Sequence, residues 1–273
     1  MMQRISLLTK YFFRTTLRSL SGVFYLLLTL AYWYLLFNPQ QQTPDIAYYQ
    51  LLIGGFGAGL AFLVTLSVAA RANDAQHYPL LVRLKSRGEF VTAVLLSSLL
   101  ITLLFQLVLM LLGLINGPSL TLGALLEIPP IWLAPMLLMA VLALHASDFI
   151  TIGWSRIYVF GLLAIFLFGQ GLQNESLAKV STSLSRYALN QSWVAMSSNL
   201  ENFANTLNQT DGNIISRLFG FVFWPFQALA EGITNGYFTA NQSLAPAILL
   251  LYATVLFLLA VDLFANKDLA FSE

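Results

Sequence analysis

The sequence predicts an all-α membrane protein with six transmembrane helices. An interfacial helix precedes the first, and a re-entrant or interfacial helical segment lies between spans five and six. Three observations carry that prediction. Hydrophobic residues make up 58% of the chain and charged residues only 9%, where a soluble domain carries about 25% charged. The apolar residues fall in six long continuous runs, each near the roughly 20 residues needed to cross a hydrocarbon core about 30 Å thick. Continuous rather than alternating apolarity favours helices over a barrel.

The third observation is the placement of the basic residues. Arg4, Lys10, Arg14 and Arg18 precede the first run. Arg71, Arg83, Lys85 and Arg87 lie between the second and third, Arg156 between the fourth and fifth, and Lys267 after the sixth. Connections 38–50 and 116–129 contain no Lys or Arg. Short basic loops resist translocation, so both termini are expected in the cytoplasm and the chain in the plasma membrane of a prokaryote. The spans are expected near 20–37, 51–70, 91–115, 130–147, 155–172 and 244–264. Together they form a single transmembrane domain over 1–273.

Within residues 1–19, the segment 3–18 is amphipathic. Lys10, Arg14 and Arg18 recur every four residues and make one basic stripe on a helix. Ile5, Leu8, Phe12 and Phe13 lie largely away from it. This pattern suits a helix at the bilayer surface, with rings in the acyl boundary and cations against headgroups. The following apolar run is long and ends at Phe37-Asn38-Pro39 without a small-x-small site, so it reads as an uncleaved first span.

Span two opens with Gly54, Gly55, Gly57 and Gly59. Gly55 and Gly59 have small-xxx-small spacing, which allows close helix approach, more readily within the bundle than between copies. The elbow 71–90 is the densest charged segment, and Tyr78-Pro79-Leu80-Leu81 interrupts its charges. Pro79 suits the first turn of a short helix, with Leu80, Leu81 and Leu84 on one face and Arg83 and Arg87 on another. Such an elbow is either a docking element for a cytoplasmic protein or a solvated loop that sets orientation. Pro129-Pro130 marks the expected entry to span four.

Residues 173–243 are expected to be extracytoplasmic. Long segments cross largely regardless of charge, so Lys179, Arg186 and Arg217 do not disturb the topology. The latter part, 214–233, is apolar and aromatic and is expected to break at Gly220 and Pro225. A broken segment at membrane depth must be buried in protein or line a cavity. A seventh span here would move the Lys267 end outside. Sequons at Asn174, Asn190, Asn208 and Asn241 read as compositional rather than as glycosylation sites.

Several chemistries find no support. The chain has no cysteine, and the middles of the six runs hold no Asp, Glu, Lys or Arg. Midplane ionisable groups mark proton- and ion-coupled transport, so an external energy source is expected. His145 and Asp148 are three residues apart at the end of span four. A histidine satisfied by a neighbouring backbone or carboxylate is the preferred reading over a metal pair. No P-loop, G-x-S-x-G or H-E-x-x-H motif is present, so no catalytic, cofactor or metal site is expected on this chain. A net charge of +1 implies no nucleic-acid partner.

The layout resembles the permease subunits of ABC-2 type transporters over nearly the whole chain. The shared features are a basic amphipathic helix before span one, a charged cytoplasmic elbow between spans two and three, a broken outside segment before the last span and a short cytoplasmic tail. The elbow ends Val82-Arg83-Leu84-Lys85-Ser86-Arg87-Gly88-Glu89-Phe90, similar to that family's basic stretch leading into span three. The tail Phe264-Ala265-Asn266-Lys267-Asp268-Leu269 resembles its aromatic-x-x-basic-Asp ending. The elbow lacks the family's usual Glu-rich start, and segment 173–243 is longer than a helical hairpin requires.

The resemblance implies a second permease subunit and two cytoplasmic ABC ATPase subunits, which bind ATP and Mg and supply the energy. It makes elbow 72–89 a coupling helix, with Pro79, Leu80, Leu81 and Arg83 as contacts. Lys10, Arg14 and Arg18 hold the membrane interface, and Phe221, Trp224 and Phe226 shape an outer gate. Uncharged spans favour export of an apolar or amphipathic substrate. The competing expectation is a non-transporting structural or assembly subunit of a larger membrane complex, with 173–243 as its binding surface.

Overall fold

The computed structural model describes residues 2–37, 46–77, 80–81, 84–115, 122–150 and 214–267, with Val159, Gly161 and Ser198. The side chains of Ala75, 122–130 and 214–222 lie outside that description. The expected span 155–172 apart from Val159 and Gly161, Pro79, Arg83, the Phe221 side chain and most of 173–243 therefore also lie outside it. The chain divides into two compact units, 1–159 with 225–273, and 160–224.

All the described elements are helical. They are α1 (Met2–Leu17), α2 (Leu20–Leu36), α3 (Ile46–Ala72), α4 (Arg87–Gly113), α5 (Leu122–Ala146), α6 (Ile214–Asn235) and α7 (Ala245–Ala265). Among the described residues, three helices are long and apolar enough to cross a membrane: α3, α4, and α7 with the turn before it. A fourth span results if α1 and α2 count as one bent element. The chain is an integral membrane protein. At 1.5 Å per residue, α3 and α4 are each about 40 Å long, more than the hydrocarbon thickness.

Helices α1 and α2 meet at 69°. The break is written in the sequence Arg18-Ser19-Leu20-Ser21-Gly22. Ser19 adopts extended backbone at the N-cap of α2, and its hydroxyl donates to the Thr16 carbonyl at 2.7 Å. Gly22 is required here. A Cβ at that position would press into the Leu17 backbone, with Leu17 Cα only 2.9 Å away. Arg71, at the end of α3, fixes the bend from outside. It donates to the Thr15 carbonyl at 3.1 Å and to the hydroxyls of Ser19 and Ser21 at 2.6 and 3.0 Å.

Helix α3 packs most extensively on α5 and also on α4, α7 packs on α5, and α1 lies along α4. In lipid such contacts depend on close packing and interhelical hydrogen bonds. Gly54 and Gly57 provide the close packing. A Cβ at Gly54 would lie 2.9 Å from Trp132 Cδ1, and one at Gly57 would collide with the Gln106 amide. Gly55 and Gly59, expected to serve this role, have nothing within 4 Å of a Cβ among the described residues. Span two is rotated so that the other two glycines meet its neighbours.

A polar stripe on α4, Ser98, Thr102 and Gln106, is buried at i, i+4, i+8 spacing. Ser98 accepts from Thr65 at 2.9 Å, and Gln106 donates to the Ile53 carbonyl at 3.2 Å. Trp132 donates to the Gln50 carbonyl at 3.0 Å, and Trp33 to the Leu112 carbonyl at 3.0 Å.

Two boundaries differ from expectation. Helix α5 begins at Leu122 and carries Pro129 and Pro130 inside it, so the prolines do not mark its start. Helix α6 runs unbroken through Gly220 and Pro225. Each proline forfeits one backbone hydrogen bond. Helix α6 does not reach the apolarity of a span.

Candidate functional site

One end of the larger unit gathers the elbow, α1 and the termini of α3, α4, α5 and α7. The elbow returns from α3 through a 3-10 turn at Ala75–His77. Its backbone is helical again at Leu80 and Leu81, then bends at Leu84 and Lys85. Ser86 caps α4, its hydroxyl accepting from the Gly88 N–H at 3.2 Å. Ser86-Arg87-Gly88-Glu89 has the S-x-x-E form of a capping box, which puts Glu89 in the first turn, where the helix dipole favours a carboxylate. Glu89 is 4% exposed and ion-paired to Arg4 of α1 at 3.8 Å, too long for a hydrogen bond. The elbow and α1 are thereby linked by charge.

Four phenylalanines form the core of this end. Phe12 of α1 meets Phe90 of α4 edge-on at 5.6 Å. Phe90 stacks on Phe264 of α7 at 6.2 Å, and Phe149, just after α5, stacks on Phe264 at 4.6 Å. All four are at most 2% exposed. His77 lies against Phe12 at 5.6 Å, and its Nε2 is 3.3 Å from the Tyr11 hydroxyl. Each aromatic pair is worth about 0.5–1.5 kcal/mol beyond its buried area.

Two cations tie the helix ends together. Arg87 donates to the carbonyls of Phe264, Ala265 and Lys267 at 3.5, 3.0 and 2.7 Å. The carbonyls lie at the end of α7, where few intrahelical donors remain, and a cation there also complements the dipole. Lys267 in turn donates to the Asp148 carbonyl and, at 3.0 Å, to that of Phe149. Burial pushes the Lys267 ammonium below the ordinary lysine value, against the opposing pull of Asp148. The elbow therefore grips α7, and the residues after α7 grip the end of α5.

The sequence-predicted residues fall as follows. Leu80 is 38% exposed, whereas Leu81 is 6% exposed and belongs to the core; of the pair, Leu80 is available to a partner. Lys10, Arg14 and Arg18 are exposed on α1 and its following turn. Trp224 and Phe226 are half-buried on α6. His145 Nε2 meets the Leu256 carbonyl at 2.9 Å across the α5–α7 contact, the backbone-satisfied histidine expected from sequence. Among the described residues no three His, Asp or Glu side chains could hold a metal. Arg87 and Glu89 were not among the predicted contacts. The S-x-x-E spacing marks Glu89 in the sequence, but nothing marks a partner about 180 residues from Arg87. What this end can do chemically is bind and transmit force: exposed cations and Leu80 outside, and a rigid aromatic and carbonyl-capped linkage inside. Neither the sequence nor the structure matches a known family model, a curated protein or a solved structure.

Proposed function

We propose that this chain is the membrane-spanning permease subunit of an ATP-driven ABC-2 type transporter. In this reading six spans cross the plasma membrane of a prokaryote with both termini cytoplasmic, and α1 lies in the interface. A second permease subunit completes the pore, and two cytoplasmic ATPase subunits bind ATP and Mg. Elbow 72–89 is the coupling element, and an apolar or amphipathic substrate is exported through a pathway without midplane charges. Segment 214–233 then shapes the outer end.

The observation that carries the proposal is the linkage of the elbow to three other helices. Arg87 holds the end of α7, Phe90 lies against Phe12, Phe264 and Phe149 at the end of α5, and Glu89 pairs with Arg4. A push on Leu80 from outside would reach α1, α5 and α7 together through these contacts. A loop that only sets orientation has no need of such connections. The exposed cations around it suit an acidic or polar partner surface.

The experiment is ATPase activity of the co-purified complex in lipid, with Arg87→Gln. The expected outcome is a complex that still assembles while substrate transport falls at least tenfold per ATP hydrolysed. Unchanged coupling would reject the linkage as the transmission path.

A further inference from the structure

Where α1 crosses α4 the two helices leave an open groove of about 880 Å³. One wall is a leucine ladder on α4 from Leu96 to Leu107; the other is α1, which contributes Ser6, Thr9 and Lys10. We propose that this groove binds an anionic glycerophospholipid of the surrounding bilayer, with an acyl chain along the ladder and the phosphate at Lys10.

The dimensions fit one leaflet. From Leu96 to Leu107 the helix rises about 16 Å, roughly half of a hydrocarbon core about 30 Å thick. The ladder is a binding wall rather than core, since Leu100 and Leu107 are 47% and 51% exposed. The α1 wall carries most of the polar groups, and Thr92 of α4 adds one beside the start of the ladder. Thr9 is only 7% exposed and its hydroxyl has no hydrogen-bond partner. A buried donor left unpaired is costly, so the protein alone leaves this wall incompletely satisfied. Lys10 sits at the groove's edge, exposed and without an ion-pair partner among the described residues. Arg14, one turn further along, extends the same positive stripe. A purely apolar protein helix would leave Lys10 unused. A zwitterionic lipid would fill the groove without exploiting its charge. An anionic lipid matches both the apolar ladder and the cation at its edge, in the manner of basic amphipathic helices at membrane surfaces.

This inference is independent of the transporter reading. The test is native mass spectrometry of the full-length protein, titrated with dioleoyl phosphatidylglycerol or dioleoyl phosphatidylcholine. In parallel, phosphatidylglycerol carrying a diazirine in one acyl chain is photo-crosslinked to the unsubstituted protein. The expected result is tighter binding of phosphatidylglycerol, with crosslinks on α4 between Leu96 and Leu107. Lys10→Gln should weaken phosphatidylglycerol by about fivefold, the scale of one lysine at an anionic surface, and leave phosphatidylcholine unchanged. Leu100→Trp should fill the groove and weaken both. Equal affinity for the two lipids, or an unaltered preference in Lys10→Gln, would overturn the proposal. So would crosslinks elsewhere, or capture of a second protein chain at the ladder in place of lipid.

Discussion

At Gly22 the absence of a side chain decides the geometry of the N-terminal third of the described fold. A Cβ there meets the Leu17 backbone, which has no rotamer with which to give way. Gly22→Ala is therefore expected to destabilise the protein by about 1–3 kcal/mol, the usual cost of overpacking. The loss is read as a lower thermal midpoint in detergent. Arg87 decides the other end. Removing a charged donor from three carbonyls costs about 1.5–3 kcal/mol per charge-assisted bond that is lost without replacement. Water can recover part of that at this half-exposed position. Arg87→Gln should accordingly speed hydrogen exchange at the last turn of α7 while leaving α3 protected. Single residues were unevenly legible in the sequence. His145 was readable because an apolar stretch with one histidine leaves few other partners than backbone. Leu80 and Leu81 were not separable, because which of two adjacent leucines is buried depends on where the elbow docks. Arg87's partners were invisible because they lie at the far end of the chain.

Among the elements, periodicity and apolar length found the helices but not all their ends. Helices α2, α3, α4 and α7 begin and end within about five residues of the expected spans, since the cost of exposing polar backbone to lipid fixes where an apolar run must be helical. Prolines misled at α5 and α6, both of which run through theirs at the loss of one backbone hydrogen bond per proline. The polar stripe Ser98, Thr102 and Gln106 on α4 marks the face that meets α3. A double-mutant cycle between Thr65→Ala and Ser98→Ala should give a coupling of about 0.6 kcal/mol, the average for hydrogen bonds inside membrane proteins. Coupling near zero would mean that this stripe contributes packing alone. Within the elbow, Leu81→Asp buries a charge and should lower the yield of folded protein, whereas Leu80→Asp should leave folding intact.

For the whole molecule, the sequence made the membrane class plain because it is a bulk property: 58% hydrophobic residues and 9% charged leave no water-facing surface of ordinary composition. Clustering of basic residues at one end was also legible, and the structure places Arg4, Arg71, Lys85, Arg87 and Lys267 on α1 or at the helix ends gathered there. What composition could not convey was how the cations divide: Arg4 pairs with the Glu89 carboxylate. Arg71, Arg87 and Lys267 are spent on backbone carbonyls and hydroxyls inside the protein, while Lys10, Arg14, Arg18 and Lys85 remain on the surface. That division makes the basic end an internally cross-linked joint with further cations left on its surface. The most direct test is co-purification from native membranes in mild detergent, comparing the unsubstituted protein with Leu80→Asp. The proposed role predicts that a P-loop ATPase accompanies the unsubstituted protein and is lost from the equally well-folded Leu80→Asp variant. A chain that emerges without an ATPase, or an ATPase retained unchanged by Leu80→Asp, would contradict it.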